Sequence, residues 1–457
     1  MHNKISDRIL NDERVKSILN YDSDKNLLVT GVNDDFKPVL LKEITENSAE
    51  PQVVFVENNH HMEKLANSMM DVMDNVYTFP VGDIMIESLS KQSPDFMKAR
   101  MTALYALAHE KPGLFIVPVH GLLKPLMPKE KLLSYERTLQ LGGTINYDEL
   151  IGFLVSLGYK RMNQAQNFGE FAVRGDIFDI YMHDVFLRLE LFDDEIDSLR
   201  LIDPETQRSL QNIDSITLEP YAEYIVEAGE REELLDKIDE LYEQTSAGLE
   251  GVTKEALEEY YDVVTHPDQL VNHLVQFAHL LEDHDKSLLD YLTPNHRVFI
   301  DDAGAIKSAY DAELSAVHNY FESVLEAGQM FNGAANYLEG QYERLLNIEG
   351  ATYFNLFMKS MPVSIGEMVK ISVKPTEIYY GQYDILASNL NGMLENDYLI
   401  NIILRDEDEL NKTKQLLEDL KIPSFINEIP ENSGIVLTIG SMATGFILPY
   451  MSAAILT

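Results

Sequence analysis

The chain has no cysteine, which excludes disulfides and thiolate metal sites and agrees with a reducing compartment. No apolar run approaches the roughly 20 residues of a membrane-spanning helix, and the opening MHNKISDRIL lacks the apolar core of a secretory signal. Basic residues are scarce: 36 lysines and arginines stand against 76 acidic residues, for a net charge of -40. Affinity for phosphate backbones comes mainly from lysine and arginine displacing counterions, and an acidic field opposes that approach. Lys124, Lys129, Lys131 and Arg137 are too dispersed to build a basic groove. Neither an HExxH pair nor a GxSxG elbow occurs. His60 and His61 are adjacent and so diverge, and His109 and His120 have no partners at chelating spacing. These absences predict a soluble, cytoplasmic protein with no metal, no cofactor, no membrane contact and weak or no DNA binding of its own.

What is present is globular: 457 residues, 45% hydrophobic and 25% charged, enough for several domains. Residues 1 to about 130 alternate short apolar strands (Asn26 to Thr30, Val53 to Val56, Leu114 to Val117) with helical patterns (His61 to Val72, Phe96 to Ala108). That order predicts a parallel sheet covered on both faces. The first strand runs into Gly31-Val32-Asn33-Asp34-Asp35-Phe36-Lys37-Pro38, the frame of a phosphate-binding Walker A loop with most working parts replaced. Phe36 takes the place of the second glycine, and the altered pocket is expected to be plugged. Pro38 replaces the hydroxyl that holds Mg²⁺, and Asp34 and Asp35 put negative charge where a triphosphate must sit. Lys37 alone does not rescue it. Far downstream, Arg297 to Asp302 is an apolar strand ending in Asp301-Asp302, a Walker B pattern in which Asp302 is one methylene shorter than the usual glutamate.

The most informative stretch is Phe168 to Arg208. From Leu187 to Phe192 the chain alternates, with Leu187, Leu189 and Leu191 on one face and Arg188, Glu190 and Phe192 on the other. This is a half-buried strand ended by Asp193-Asp194. Phe192 lies on the polar face beside Arg188, the composition of a binding hot spot, unless a loop of the same chain covers it. Upstream, Phe171 and Val173, then Ile177 and Ile180, predict two short strands meeting at the bend Arg174-Gly175-Asp176, so that Arg174 approaches Arg188. Either an anionic partner or ion pairs with Asp176, Asp179 or Glu190 explain the two arginines.

The remaining chain divides by character. Residues 131–221 read as an inserted, mainly β small domain, and 222–375 as an acidic helical part with an apolar stripe of Leu234, Ile238 and Leu241 that then returns to the first sheet. Residues 376–457 read as a small α/β domain, with helices from Tyr383 and Glu407, strands at Tyr398 to Leu404 and Gly434 to Ile439, and a last strand from Ala453. The chain stops inside that apolar strand, which predicts a fragment.

The run Gly169-Glu170-Phe171, Arg174-Gly175-Asp176-Ile177, Arg188-Leu189-Glu190, Phe192 and Asp203-Pro204-Glu205-Thr206-Gln207-Arg208-Ser209 resembles the second domain of bacterial transcription-repair coupling factors (Mfd), shared in outline with the repair helicase UvrB. Gly440-Ser441-Met442-Ala443-Thr444-Gly445-Phe446 resembles a segment of the family's third domain. The resemblance implies an α/β, degenerate P-loop NTPase-like (UvrB-like) parallel-sheet domain carrying the insertion, with the third domain after it. It implies UvrA contacts on Arg174, Arg188 and Phe192, a nucleotide site lost at Gly31, Phe36, Lys37, Pro38, Asp301 and Asp302, and no catalysis by this chain. RNA polymerase and DNA would be met only through parts of the family absent here, where its helicase-type ATPase motor lies. The alternative is a UvrB-like ATP-dependent DNA repair helicase. Against it, the place of UvrB's tyrosine-rich hairpin reads Phe79-Pro80-Val81-Gly82-Asp83-Ile84.

Overall fold

The structure is a computed structural model of the chain and describes all residues except 1–3, 22, 83–92, 183–184, 267–275, 282–285, 378, 380, 428–432 and 443. Four strands open the first sheet: β1 (Asn26–Thr30), β2 (Pro51–Val56), β3 (Val76–Thr78) and β4 (Gly113–Pro118). β2 and β4 are buried along their whole length, as continuous apolar strands covered on both faces must be. The intervening helices begin at side-chain caps. The Asn58 side chain accepts from His61 N–H ahead of Asn59–Met70, and Ser93 accepts from Phe96 N–H ahead of Pro94–Ala108, which has proline in its first turn.

The chain then leaves this sheet. β5 (Arg137–Gln140) and β12 (Ser215–Leu218) pair as an antiparallel ribbon. Between them come the helix Tyr147–Ser156 and a second sheet of β6 (Lys160–Met162), β7 (Glu170–Arg174), β8 (Ile177–Met182), β9 (Val185–Phe192), β10 (Glu195–Ile202) and β11 (Ser209–Asn212), in spatial order 11-10-9-8-7-6. One face of this sheet, with Phe171, Phe178, Ile180, Leu187, Leu189 and Leu191, shares a core with Leu150 and Leu154 of the helix. On the other face Ala172, Phe186 and Ile202 cluster under Ala165 at one end, while Ile177 and Phe192 stand exposed at the other.

Two acidic helices, Ala228–Ser246 and Val252–Thr265, follow and bury Leu234, Ile238, Leu257 and Val264 in the large core. β13 (Arg297–Asp301), β14 (Thr352–Asn355) and β15 (Ile365–Lys370) then complete the first sheet, whose seven strands run parallel in the order 15-1-14-13-2-4-3. A third sheet contains β16 (Lys374–Pro375), β17 (Leu399–Leu404), β18 (Ser424–Ile426), β19 (Gly434–Ile439), β20 (Phe446–Leu448) and β21 (Ala453–Leu456), with helices Tyr383–Glu395 and Glu407–Asp419. The protein is therefore α/β, with a large parallel sheet and further sheets attached. The third sheet shares one core with the first: Val436, Phe446 and Leu448 join Phe36 and Leu40, together with Ile5, Ile9, Val15 and Ile18 from two N-terminal helices. Among the described residues no helix is long and apolar enough to cross a membrane.

Candidate functional site

The β7–β10 face is set by two tight bends. Gly175 turns the chain at φ +61 between β7 and β8, and Asp193 at φ +52 between β9 and β10. A Cβ at Gly175 would meet nothing within 4 Å, so the glycine answers to backbone conformation alone. β9 alternates as its sequence predicts, and Phe192 at its end is 71% exposed. No loop of the described chain covers the ring.

The two arginines converge on one carboxylate. Asp179 lies directly across from Arg188 in the β8–β9 register and is 3% exposed. Arg188 donates from Nε to Oδ1 at 2.6 Å and from Nη2 to Oδ2 at 2.9 Å, and Nη2 also reaches Gln207 Oε1 at 3.2 Å. Arg174 Nη2 reaches the same Oδ2 at 3.3 Å. The hydrogen bonds that Arg188 donates to Asp179 raise the guanidinium's proton affinity in spite of its partial burial. Of the three acids that sequence offered as partners, Asp179 is the one used. Glu190 pairs instead with Arg200. Nothing in the local pattern singles out Asp179, because the choice depends on strand register.

The second predicted region lies where β1, β2, β13 and β14 end. A cleft of about 480 Å³ there is lined by Asn33, Asp34, Asp35, Lys37, Glu57, His61, Lys64, Asp301, Asp302 and Leu356, among others. In parallel α/β sheets this is where ligands bind. The expectation that this pocket is plugged is corrected by the geometry. The Phe36 ring is fully buried on the other side of the loop, edge-on to Phe446 with centroids 5.1 Å apart, and the cleft stays open. What is changed is its chemistry. Phe36 N–H donates to Asn33 Oδ1 at 3.1 Å and Lys37 N–H to Asn33 O at 3.0 Å, so donors that would cradle phosphate are used within the loop.

Lys37 is committed as well. Its ammonium lies 3.1 Å from Asp34 and 2.8 Å from Asp301, and Lys64 lies 2.6 Å from Asp34. Burial pushes the Asp34 carboxyl up, but Lys37 and Lys64 outweigh it and hold the group down at about 2. Asp302 Oδ1 caps the helix Ala303–Glu326 by accepting from Gly304 and Ala305 N–H, and Lys359 takes Oδ2 at 2.8 Å. Pro38 sits in the first turn of Lys37–Glu46, where its missing N–H costs nothing. Gly31, at φ +80, is required by another strand: a Cβ there would lie 1.8 Å from Ile371 O.

Several neighbours escaped sequence reasoning. Thr444 Oγ1 donates to Asp35 at 2.5 Å, which with Phe36 on Phe446 ties the Gly31 to Pro38 loop to the third sheet. Leu356, Phe357 and Met358 form an exposed apolar run at the rim of the cleft. His109, for which sequence spacing offered no partner, has Nε2 2.6 Å from Glu136, and Glu219 completes a group whose ligand-type atoms lie within 4.8 Å of one another. Chain topology joins these three, and spacing carries no trace of it. Phe79 to Gly82 are described, with Phe79 and Val81 buried, while Asp83 and Ile84 lie outside the described residues.

The β sheet inserted through its ribbon in the parallel α/β body has a counterpart among known families. Residues 138–224 match the family model described as the UvrB interaction domain. The whole chain goes further. It is 33% identical over 464 residues to the transcription-repair-coupling factor of Staphylococcus haemolyticus, covering 99% of this chain and 39% of that protein. For the Staphylococcus epidermidis protein of the same name the figures are 31% over 468 residues, 100% and 40%, and for that of Staphylococcus aureus strain MRSA252 they are 32% over 443 residues, 94% and 38%. The chain matches the N-terminal region of the transcription-repair-coupling factors and spans about two fifths of the length of these curated relatives. Among solved structures, that of S. tokodaii Xpd4 aligns with 96% of this chain and 80% of its own at 11% identity and a TM-score of 0.25, too low to argue a shared fold.

Proposed function

We propose that this chain is a non-catalytic docking module of a transcription-repair coupling factor, which recruits the damage-recognition protein UvrA through Arg174, Arg188 and Phe192 in the cytoplasm. In that reading it links a stalled RNA polymerase to nucleotide excision repair, while contacts with polymerase, DNA and ATP fall to other parts of such proteins. The observation that carries the reading is Phe192, 71% exposed at the end of a strand whose other face is packed. A ring in that position has no internal packing role, and aromatic and arginine side chains are enriched where protein interfaces form. The arginines matter for a second reason: a chain of net charge -40 repels acidic surfaces unless a local patch opposes its field.

The open cleft favours one other reading, a UvrB-like ATPase, because space remains at the ligand-binding end of the sheet. The electrostatics argue against it, since five carboxylates line the cleft and both of its lysines are engaged by Asp34 or Asp301. Calorimetry with MgATP separates the two, and micromolar affinity would favour the ATPase. For the docking reading, Phe192→Ala and Arg188→Glu are expected to abolish pull-down of purified UvrA while leaving the circular dichroism unchanged. Undiminished capture by both variants would remove the proposed contact.

A further inference from the structure

The two guanidinium groups on the docking face differ in what is left for a partner. Arg188 is half-buried, gripped through two nitrogens by Asp179, and steadied by Gln207. Gln207 is itself fixed at φ +58 in a turn closed by its N–H to Asp203 O at 2.8 Å. Arg174 is 56% exposed at the side chain and, among the described residues, holds Asp179 through one contact of 3.3 Å. One carboxylate thus serves two cations, and the trio keeps one positive charge beyond neutrality.

We infer that Asp179 is the positioning residue of this face: it holds Arg188 through two contacts and Arg174 through one, so that both guanidinium groups stand ready for carboxylates on the partner, next to an apolar socket for Phe192. This deepens the docking reading above and rests on it. The physical reason is preorganisation. A free arginine side chain has many rotamers, and a two-pronged carboxylate grip fixes one before the partner arrives. Because Asp179 is buried and directly opposite Arg188, it holds that geometry without touching the partner.

The test titrates the full chain into purified UvrA by calorimetry at several salt concentrations, with circular dichroism as the check on folding. Asp179→Asn is expected to weaken binding by about tenfold, even though it makes the face more positive. A face that works by net charge alone would bind an acidic partner more tightly after that change, so wild-type or tighter affinity overturns the inference. Arg188→Lys keeps the charge and loses the two-pronged grip. It is expected to show a similar loss, and it carries the test should Asp179→Asn not fold. Arg174→Ala should weaken binding, flatten its salt dependence and leave unfolding by urea unchanged. An unaltered salt slope would remove the role given to Arg174. Phe192→Ala distinguishes the two levels: if it also binds like wild type, the docking face itself is wrong. If it alone loses binding, only the positioning role of Asp179 fails.

Discussion

Replacing Lys37 with methionine keeps side-chain length and helix propensity and removes the ammonium alone. That ammonium belongs to a side chain 8% exposed and lies between Asp34 and Asp301. Deleting one member of a buried ion pair costs about 3–5 kcal/mol, because the other charge is left unpaired. Here Asp34 keeps Lys64 and both carboxylates reach solvent, so the expected loss is about 2–3 kcal/mol. Urea unfolding followed by far-ultraviolet circular dichroism measures it without adding salt. The double variant Lys37→Met/Asp301→Leu removes a charge of each sign and should recover most of the loss.

The pH dependence has a definite sign. Burial lowers the Lys37 pKa, but Asp301 and Asp34 outweigh burial and the net shift is upward. Its contribution is therefore complete below the ordinary lysine pKa and disappears as the pH rises through the folded value. Asp34, held at about 2, contributes above the ordinary carboxylate range and loses that contribution as the pH falls through about 2. The gap between wild type and Lys37→Met should then be flat near neutrality and narrow toward both extremes. Were Lys37 still a phosphate ligand, the variant would match wild-type stability without nucleotide and lose a micromolar affinity for MgATP. That pair of results would rule out a structural role for the ammonium.

Three further outcomes follow from packing and burial. Phe36→Ala should cost about 3–5 kcal/mol and speed hydrogen exchange in β20 and β21, because the ring joins the Gly31 to Pro38 loop to Phe446; unchanged exchange there would deny that joint. Gly31→Ala places a Cβ 1.8 Å from Ile371 O at φ +80 and should reduce the yield of folded protein, with normal yield and melting temperature as the contrary result. Burial first, then Arg100 and Lys124, press the His120 pKa from 6.5 to about 4. The unfolded imidazole takes its proton first as the pH falls, so stability should drop between those values, and His120→Leu should flatten that limb of the curve. A limb unchanged by His120→Leu would place its cause elsewhere.

Much of the fold was legible because burial leaves a short-range period. Continuous apolar runs marked β2 and β4, and strict alternation marked β9 and put Phe192 on its open face. Asn58, Ser93 and Asn146 stand at helix starts and can be read as caps without a structure. What local pattern does not carry is the identity of the distant element that covers a residue. The pocket at the Gly31 to Pro38 loop read as plugged, but Phe36 finds its partner Phe446 at the far end of the chain, which draws the ring to the opposite side and leaves the cleft open. Register has the same character: Asp176, Asp179 and Glu190 were equal candidates for the arginines until the β8–β9 pairing set Asp179 opposite Arg188. The lysines that pair with two of the cleft's carboxylates, Lys64 and Lys359, lie far along the chain from Asp34 and Asp302.

The most direct test of the account is a calorimetric titration of UvrA with the wild-type chain and with Phe192→Ala. The account predicts saturable binding by the wild type and a loss of more than about thirtyfold in the variant, the effect of removing a hot spot worth at least about 2 kcal/mol. Equal affinities for the two proteins, with both folded, would contradict it.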